Sequence, residues 1–384
     1  MDPSEENWFK SSLHLVNYLK LRTSYGSTGN DQIGDYSFYN LYNTILTPNP
    51  YQGIVTIGVN GPTNPYIRWE ETRKFNMGLE IGMFKNRVLA NIGYVKNRSG
   101  NQIISYVLPS TTGSNSVLRN FPGIIQNTAF EATLSTINIR KKDISWSTNL
   151  NISVPRNKLI RFDNLESTSY RNRFKIGEPI SVVRLFRFAG VNTETGLYEF
   201  YTADGSKTST PKGNIDDVKY KNIAPTMTGG IQNTFNYKGF QLDFFLQYTQ
   251  QVKSDVAIVG GGSSPGGPFN ILDIILSRWQ NKGDVTNVQK VANASQLLNQ
   301  NLAAQTSDLV YRDASFLRLK NVNISYSFPV DWLAKLKVRQ AKVYVYGENL
   351  WTWTGYKGLD PDVSSSGIVM PSLLTVVAGV NFSF

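Results

Sequence analysis

Apolar and polar residues alternate with a period of two over several long stretches of this chain. Ile144, Trp146, Leu150, Ile152 and Val154 fall on one side, and Ser145, Ser147, Asn149, Asn151 and Ser153 on the other. Phe240, Leu242, Phe244, Leu246 and Tyr248 alternate with Gln241, Asp243, Gln247 and Thr249; Phe75, Met77, Leu79, Ile81 and Met83 alternate with Asn76, Gly78, Glu80 and Gly82. Near the end of the chain Val376, Ala378, Val380, Phe382 and Phe384 alternate with Thr375, Gly379, Asn381 and Ser383. Successive side chains of a strand leave opposite faces of a sheet, so the pattern predicts strands. Ten are expected, near 14–27, 68–84, 87–107, 124–140, 144–161, 225–237, 240–256, 314–328, 340–354 and 374–384.

The connections alternate in length. Lys85-Asn86, Lys141-Lys142-Asp143 and Lys238-Gly239 are tight turns, whereas 28–67, 108–123, 162–224, 257–313 and 355–373 are long excursions. Pro329 to Arg339 is intermediate and falls on the short-turn side. Short turns at one end and long loops at the other are the arrangement of a transmembrane barrel, and an even strand number places both ends of the sheet on the short-turn, periplasmic side. The polar faces favour the same reading. They carry Ser, Thr, Asn, Gln and Gly rather than the Lys and Glu of a soluble sheet's outer surface. Two segments are less regular. The apolar phase shifts from Leu317 and Leu319 to Val322, Ile324, Tyr326 and Phe328, predicting a bulge at Lys320-Asn321-Val322. Val343 and Val345 alternate with Tyr344 and Tyr346, which leaves the lipid face of that strand undecided by pattern.

Composition narrows the chemistry. Only 17% of the 384 residues are charged, 12% are aromatic, there is no cysteine, and the one histidine is His14. Thiolate metal sites and disulfides are excluded, and His14, between two leucines, is read as a satisfied surface or lumen residue rather than a catalytic one. No metal or other cofactor is expected. The net charge of +11 comes from scattered residues. The densest clusters, Arg140-Lys141-Lys142 and Arg171 to Lys175, are short and turn-like, so a nucleic-acid surface is not expected and an anionic membrane surface is the apter partner. No apolar run approaches the ~18 residues of a membrane helix, and the first residues lack the features of a signal peptide.

Other motifs yield little chemistry. Gly260 to Gly267 lacks a following Gly-Lys-Ser/Thr and reads as a loop. Asp216-Asp217 and Asp360-Pro361-Asp362 are the available carboxylate pairs for a glycosidase, but both lie in loops, where acids form turns. Ile271 to Trp279 reads as a short helix that packs a loop down. Trp351, Trp353 and Tyr356 cluster at the outer end of a strand as interfacial girdle residues; stacking against sugar rings is the functional alternative. A soluble β-rich glycan-binding module or glycosidase is the competing class.

Several ordered motifs carry a resemblance. Leu19 to Asn30 (LKLRTSYGSTGN), Asn64 to Glu70 (NPYIRWE), Tyr237 to Phe240 (YKGF), Asp313 to Val322 (DASFLRLKNV), Gly347 to Leu350 (GENL) and Gly358 to Pro361 (GLDP) are the strongest. With them the chain resembles the C-terminal barrel portion of SusC/RagA-type TonB-linked outer-membrane receptors of Bacteroidota. The resemblance implies an all-β fold, the C-terminal ten or so strands of an antiparallel transmembrane barrel of about 22. Residues 1–384 would form barrel wall and extracellular loops, with the signal peptide and plug outside them. It also implies import of oligosaccharides or other large nutrients such as peptides, no enzymatic activity, and residence in the bacterial outer membrane. The implied partners are a SusD-like surface lipoprotein, TonB-ExbB-ExbD acting through the plug, and outer-membrane lipid and lipopolysaccharide. Val380, Phe382 and Phe384 are similar to the terminal signal that the barrel-insertion machinery reads. Lys20, Arg22, Glu80, Asn149, Asn151 and Gln241 are expected to face a hydrated lumen.

Overall fold

The computed structural model describes residues 15–30, 36, 38–45, 56–59, 61–255, 272–291, 297–334, 338–363 and 370–383; His14, Phe384, the first residues of the chain and Gly260 to Gly267 lie outside them. Ten strands form one antiparallel sheet in which each strand bonds to the next along the chain. They are β1 (Val16–Asn30), β2 (Glu70–Met83), β3 (Val88–Gly100), β4 (Gly123–Arg140), β5 (Ile144–Phe162), β6 (Met227–Tyr237), β7 (Phe240–Gln250), β8 (Phe316–Ser327), β9 (Gln340–Thr354) and β10 (Thr375–Ser383). Among the described residues β1 and β10 each have one neighbour in this sheet.

Register converts the alternation of each strand into rows that cross the whole sheet. Leu19, Ile81, Ala90, Leu134, Leu150, Ile231, Leu246, Leu319 and Trp351 stand opposite one another in turn across nine strands. One residue along lies the row Lys20, Glu80, Asn91, Thr133, Asn151, Gly230, Gln247, Arg318 and Thr352 on the other face. The row after that, from Leu21 and Leu79 to Leu317 and Trp353, is again apolar apart from Gly229. The sheet therefore has one apolar and one polar face. The apolar run from Ile144 to Val154 is roughly 33 Å of strand at ~3.3 Å per residue, or about 25 Å of height at a ~40° tilt, the thickness of a barrel's apolar band.

Polar atoms that fall on the apolar face satisfy one another. Thr148 Oγ1 and Trp146 Nε1 both donate to Asn233 Oδ1, at 2.7 and 2.9 Å, and Asn138 Nδ2 donates to Thr148 Oγ1 at 2.8 Å. An unpaired donor beside hydrocarbon would be strongly unfavourable.

The bulge lies where the phase shift predicts it. Leu246 faces Leu319 and Phe245 faces Asn321, so Lys320 is the extra residue; its ammonium donates to Asn349 Oδ1 at 2.9 Å. The inserted residue returns Val322, Ile324 and Tyr326 to the apolar side. Register also settles β9. Val343 and Val345 stand opposite Tyr326 and Ile324, while Tyr344 and Tyr346 stand opposite Ser325 and Asn323 on the polar face.

Two expected strands are shorter than their apolar content suggests. Residues 87–107 break at Asn101, whose φ of 56° ends β3; Ile103–Val107 then pairs with Ser116–Asn120 as a separate hairpin. Residues 240–256 break after Gln250, and Val252–Ser254 pairs with Tyr311–Asp313. In both cases chain beyond the wall bonds to a loop rather than to the next wall strand.

The short turns gather at one end and the long loops at the other. Lys238 and Gly239 both have positive φ, 45° and 90°, the conformation of a two-residue hairpin turn that follows strand twist. The intermediate connection carries a short helix, Val330–Ala334. Most residues of the two buried apolar clusters lie in the loops. One unites Phe186, Tyr198 and Phe200 with Ala303, Ala304, Leu309 and Val310; the other joins Phe121, Ile125, Leu159, Phe162, Leu165 and Tyr170. The loops thus have cores of their own, and burial in the first pushes the Tyr198 phenol up to about 12.

A Cβ at Gly239 would lie 2.7 Å from the Ser327 carbonyl oxygen, in addition to the strain at φ 90°. Gly239→Ala should therefore lower the unfolding free energy by ~1–3 kcal/mol, seen as a lower urea midpoint of the detergent-solubilised barrel, while Lys238→Gly should not lower it.

Candidate functional site

The polar face of the sheet and the loop floor above it form the candidate site. Lys20, Arg22, Glu80, Asn149, Asn151 and Gln241 all share this face. Some of its charges are matched locally. Arg22 Nη2 lies 2.6 Å from Glu80 Oε1, and the Tyr18 hydroxyl donates to Glu80 Oε2 at 3.0 Å. Asp243 accepts from Thr234 Oγ1 and Gln241 Nε2, both at 2.7 Å. Between these charges lies a wall of amides and hydroxyls that offers hydrogen bonds to polar solutes and water.

Above β8 to β10 the loops are fastened by a buried ion pair. Arg318, on the polar face of β8, is 2% exposed and places Nη2 at 2.5 Å from Asp360 Oδ1; Asp362 Oδ2 lies 3.6 Å from Nη1. Arg318 also donates through Nε to Thr352 Oγ1 at 2.9 Å and through Nη1 to Ser372 Oγ at 3.3 Å, and its guanidinium lies 5.0 Å from the Phe316 ring centre. Asp360 accepts the amides of Asp362 and Ser372 at 2.9 and 3.0 Å. Burial alone would raise the Asp360 carboxyl, but these amides and the guanidinium outweigh it and hold it below the ordinary 3.8. Gln251 Nε2 donates to the Pro361 carbonyl, and the Tyr356 hydroxyl to the Ser254 carbonyl at 2.9 Å. Two motifs far apart in the chain, one around Arg318 and one around Asp360, thus close into a single clasp. Little in the sequence signals it, since the acids of Asp360-Pro361-Asp362 have the spacing of ordinary turn formers.

The carboxylate pairs considered for catalysis serve structure. Asp216 accepts the amides of Ala203 and Lys212 at 3.0 and 2.8 Å, and Asp217 pairs with Arg184 at 3.0 Å. Among the described residues no group of three or more His, Cys, Asp or Glu could hold a metal ion. Trp351 and Trp353 are 61% and 50% exposed on the apolar face, their rings 6.4 Å apart, whereas Tyr356 is buried under the clasp. The structure does not bring the three together on one surface. Val380 and Phe382 point to the apolar side of β10, opposite Val343 and Ala341. The helix expected over 271–279 is a single 3-10 turn, Asp273–Ser277, with Ile271 outside the described residues. Trp279 packs the loop down as expected: its indole donates to the Thr193 carbonyl at 3.0 Å and covers Gly196, where any Cβ would strike the ring.

No protein-family profile matches the chain. Curated proteins do. The chain is 27% identical over 94% of its length to TonB-dependent receptor P26 of Formosa agariphila, and 26% identical over 99% to TonB-dependent receptor SusC of Bacteroides thetaiotaomicron. Among solved structures it superposes on a chain of the RagAB peptide transporter with a TM-score of 0.82, at 27% identity and covering all of this chain. It is a relative of the SusC/RagA-type TonB-dependent receptors. It spans 38% and 39% of the two curated relatives and 42% of the solved chain. The ten strands correspond to part of a TonB-dependent receptor barrel, and the chain is an outer-membrane protein. These relatives are receptors and transporters rather than enzymes.

Asp360→Ala should strand the Arg318 charge. With both side chains under 10% exposed, the expected loss is ~3 kcal/mol. An Arg318→Met/Asp360→Leu double variant should lose much less, by urea midpoints. Because the Asp360 value is depressed, its contribution is complete above pH 3.8 and fades as pH falls below that; Asp360→Asn should abolish this component of the acid dependence.

Proposed function

We propose that this chain supplies barrel wall and extracellular loops to a receptor that imports large nutrients, oligosaccharides foremost, across the outer membrane. The observation that carries the proposal is the division of the sheet into an apolar face about one membrane thick and a polar face rich in amides and hydroxyls. A lumen of amides and hydroxyls exchanges hydrogen bonds with a sugar or peptide without holding it tightly, which a conduit requires. The clasped loops with their own apolar cores would form a firm rim on which a SusD-like lipoprotein closes. Force from TonB-ExbB-ExbD would reach the substrate path through a plug inside the barrel. The kinship to proteins named as TonB-dependent receptors and to a peptide transporter supports this reading.

Disrupting the gene for the receptor that contains this chain should abolish TonB-dependent uptake of one fluorescently labelled nutrient class while leaving small-solute diffusion intact. Loss of oligosaccharide uptake supports the proposal. Loss of peptide uptake alone would transfer the assignment to peptides, and unchanged uptake of both would refute import.

A further inference from the structure

At the long-loop end the outward face changes character within one residue pair. On β3 the outward series runs Ile92, Tyr94, Lys96, Arg98, and on β5 it runs Ile152, Val154, Arg156, Lys158. Register aligns these breaks. Phe75, Lys96, Thr128 and Arg156 stand in one row, and Arg73, Arg98, Gln126 and Lys158 in the next. The two rows hold five cations and no carboxylate. Arg73 and Arg98 are directly opposed, an arrangement that repels unless an anion lies between or beside them. Glu71 pairs with Arg73 at 2.8 Å, and Arg98 is pinned by Gln126 at 2.8 Å. Arg156 is held by the carbonyls of Pro155 and Thr226 at 2.8 and 2.6 Å. The Lys96 and Lys158 ammonium groups have no hydrogen bond or ion pair among the described residues. Beside the rows a cleft of about 380 Å³ is lined by Arg73, Arg98, Phe121 and Arg161 together with Glu71 and Asp163, which pair with Arg73 and Arg161.

We propose that these two rows, resting on the reading of this face as lipid-exposed, bind the phosphate groups of lipopolysaccharide in the outer leaflet. The same face just below is exposed and apolar, with Met77, Tyr94 and Phe130 each more than 40% exposed. A molecule seated there meets hydrocarbon surface and then fixed cations, the order of groups along a phosphorylated glycolipid from acyl chain to headgroup. Alternate strands are ~10 Å apart and alternate residues ~7 Å apart, so the cations frame a patch of sugar-headgroup size. A free phosphate would have no use for the apolar surface below. The site is local. On β6 to β9 the loop end of the outward face carries Tyr248, Trp351 and Trp353, and the short-turn end carries Tyr237, Phe240 and Tyr326.

The test uses the whole receptor, purified from outer membranes in mild detergent, with bound lipid quantified by native mass spectrometry. Wild type and a Lys141→Gln/Lys142→Gln control at the short turns should retain lipopolysaccharide. Lys96→Gln/Arg98→Gln/Lys158→Gln should lose at least about tenfold, each cation near an anionic lipid surface contributing about fivefold in affinity. Equal retention by the triple variant overturns the proposal, as does equal binding of enzymatically dephosphorylated lipopolysaccharide to delipidated wild type. Should the triple variant fail to insert, Lys96→Gln alone, which gives up no internal partner, repeats the test with about a fivefold loss expected. Heat-dependent mobility and membrane fractionation are scored in parallel. Their failure in wild type would indict the membrane reading itself, whereas intact membrane behaviour with unchanged lipid would indict only the site.

Discussion

Everything in this molecule depends on the requirement that a backbone beside hydrocarbon find all its hydrogen bonds within the protein. Only a strand bonded on both edges satisfies that requirement without a helix. Once two strands are bonded, a slip of one residue would exchange the faces of the entire strand. Ladder bonding and face chemistry therefore lock each other. The nine-residue apolar and polar rows follow from that lock, and so does the accommodation of its exceptions. Lys320 is bulged out so that β8 can stay in phase on both sides, and Asn233 is supplied with donors where a polar residue falls on the apolar face.

The loops obey a different rule. Beyond the membrane the backbone is free to meet water, so nothing enforces a period of two, and order comes from burial. The clusters around Phe200 and Phe162 and the Arg318–Asp360 clasp are small cores and fastenings of the kind found in soluble domains. The protein joins two regimes, a wall organised by hydrogen bonding and a rim organised by packing. The clasp couples them, since Arg318 belongs to the wall and Asp360 to the rim.

How much could be read in advance tracks this division. The ten wall strands, the parity of the turns and the Lys320 bulge were readable because the period of two persists over ten or more residues. The lipid face of β9 was not, because valine and tyrosine both favour strands and either tolerates an interface; only its neighbours Ile324 and Asn323 decide the matter. The breaks at Asn101 and Gln250 were missed because strand-forming residues continue past them and pair with loops. The acids of Asp360-Pro361-Asp362 were read as ordinary turn formers, since nothing local announces that Asp360 meets an arginine 42 residues earlier. The cationic rows escaped notice for a related reason: Lys96, Arg98, Arg156 and Lys158 form no run in sequence and become neighbours only through register.

The strictly sequential order of the sheet has a consequence for how it is made. Each wall strand pairs with its immediate chain neighbour, so every joining event closes one connection and no strand waits for a distant partner. Three of the nine connections are tight and one is intermediate, which makes β2–β3, β4–β5, β6–β7 and β8–β9 natural hairpins with little closure entropy to overcome. The remaining five connections are long, but three of them pack into shared cores that hold them over the wall. Assembly can then proceed hairpin by hairpin, with a single growing edge unsatisfied at any moment. For a sheet whose exposed edges are hazardous in water and untenable in lipid, the order of strands is itself a form of protection.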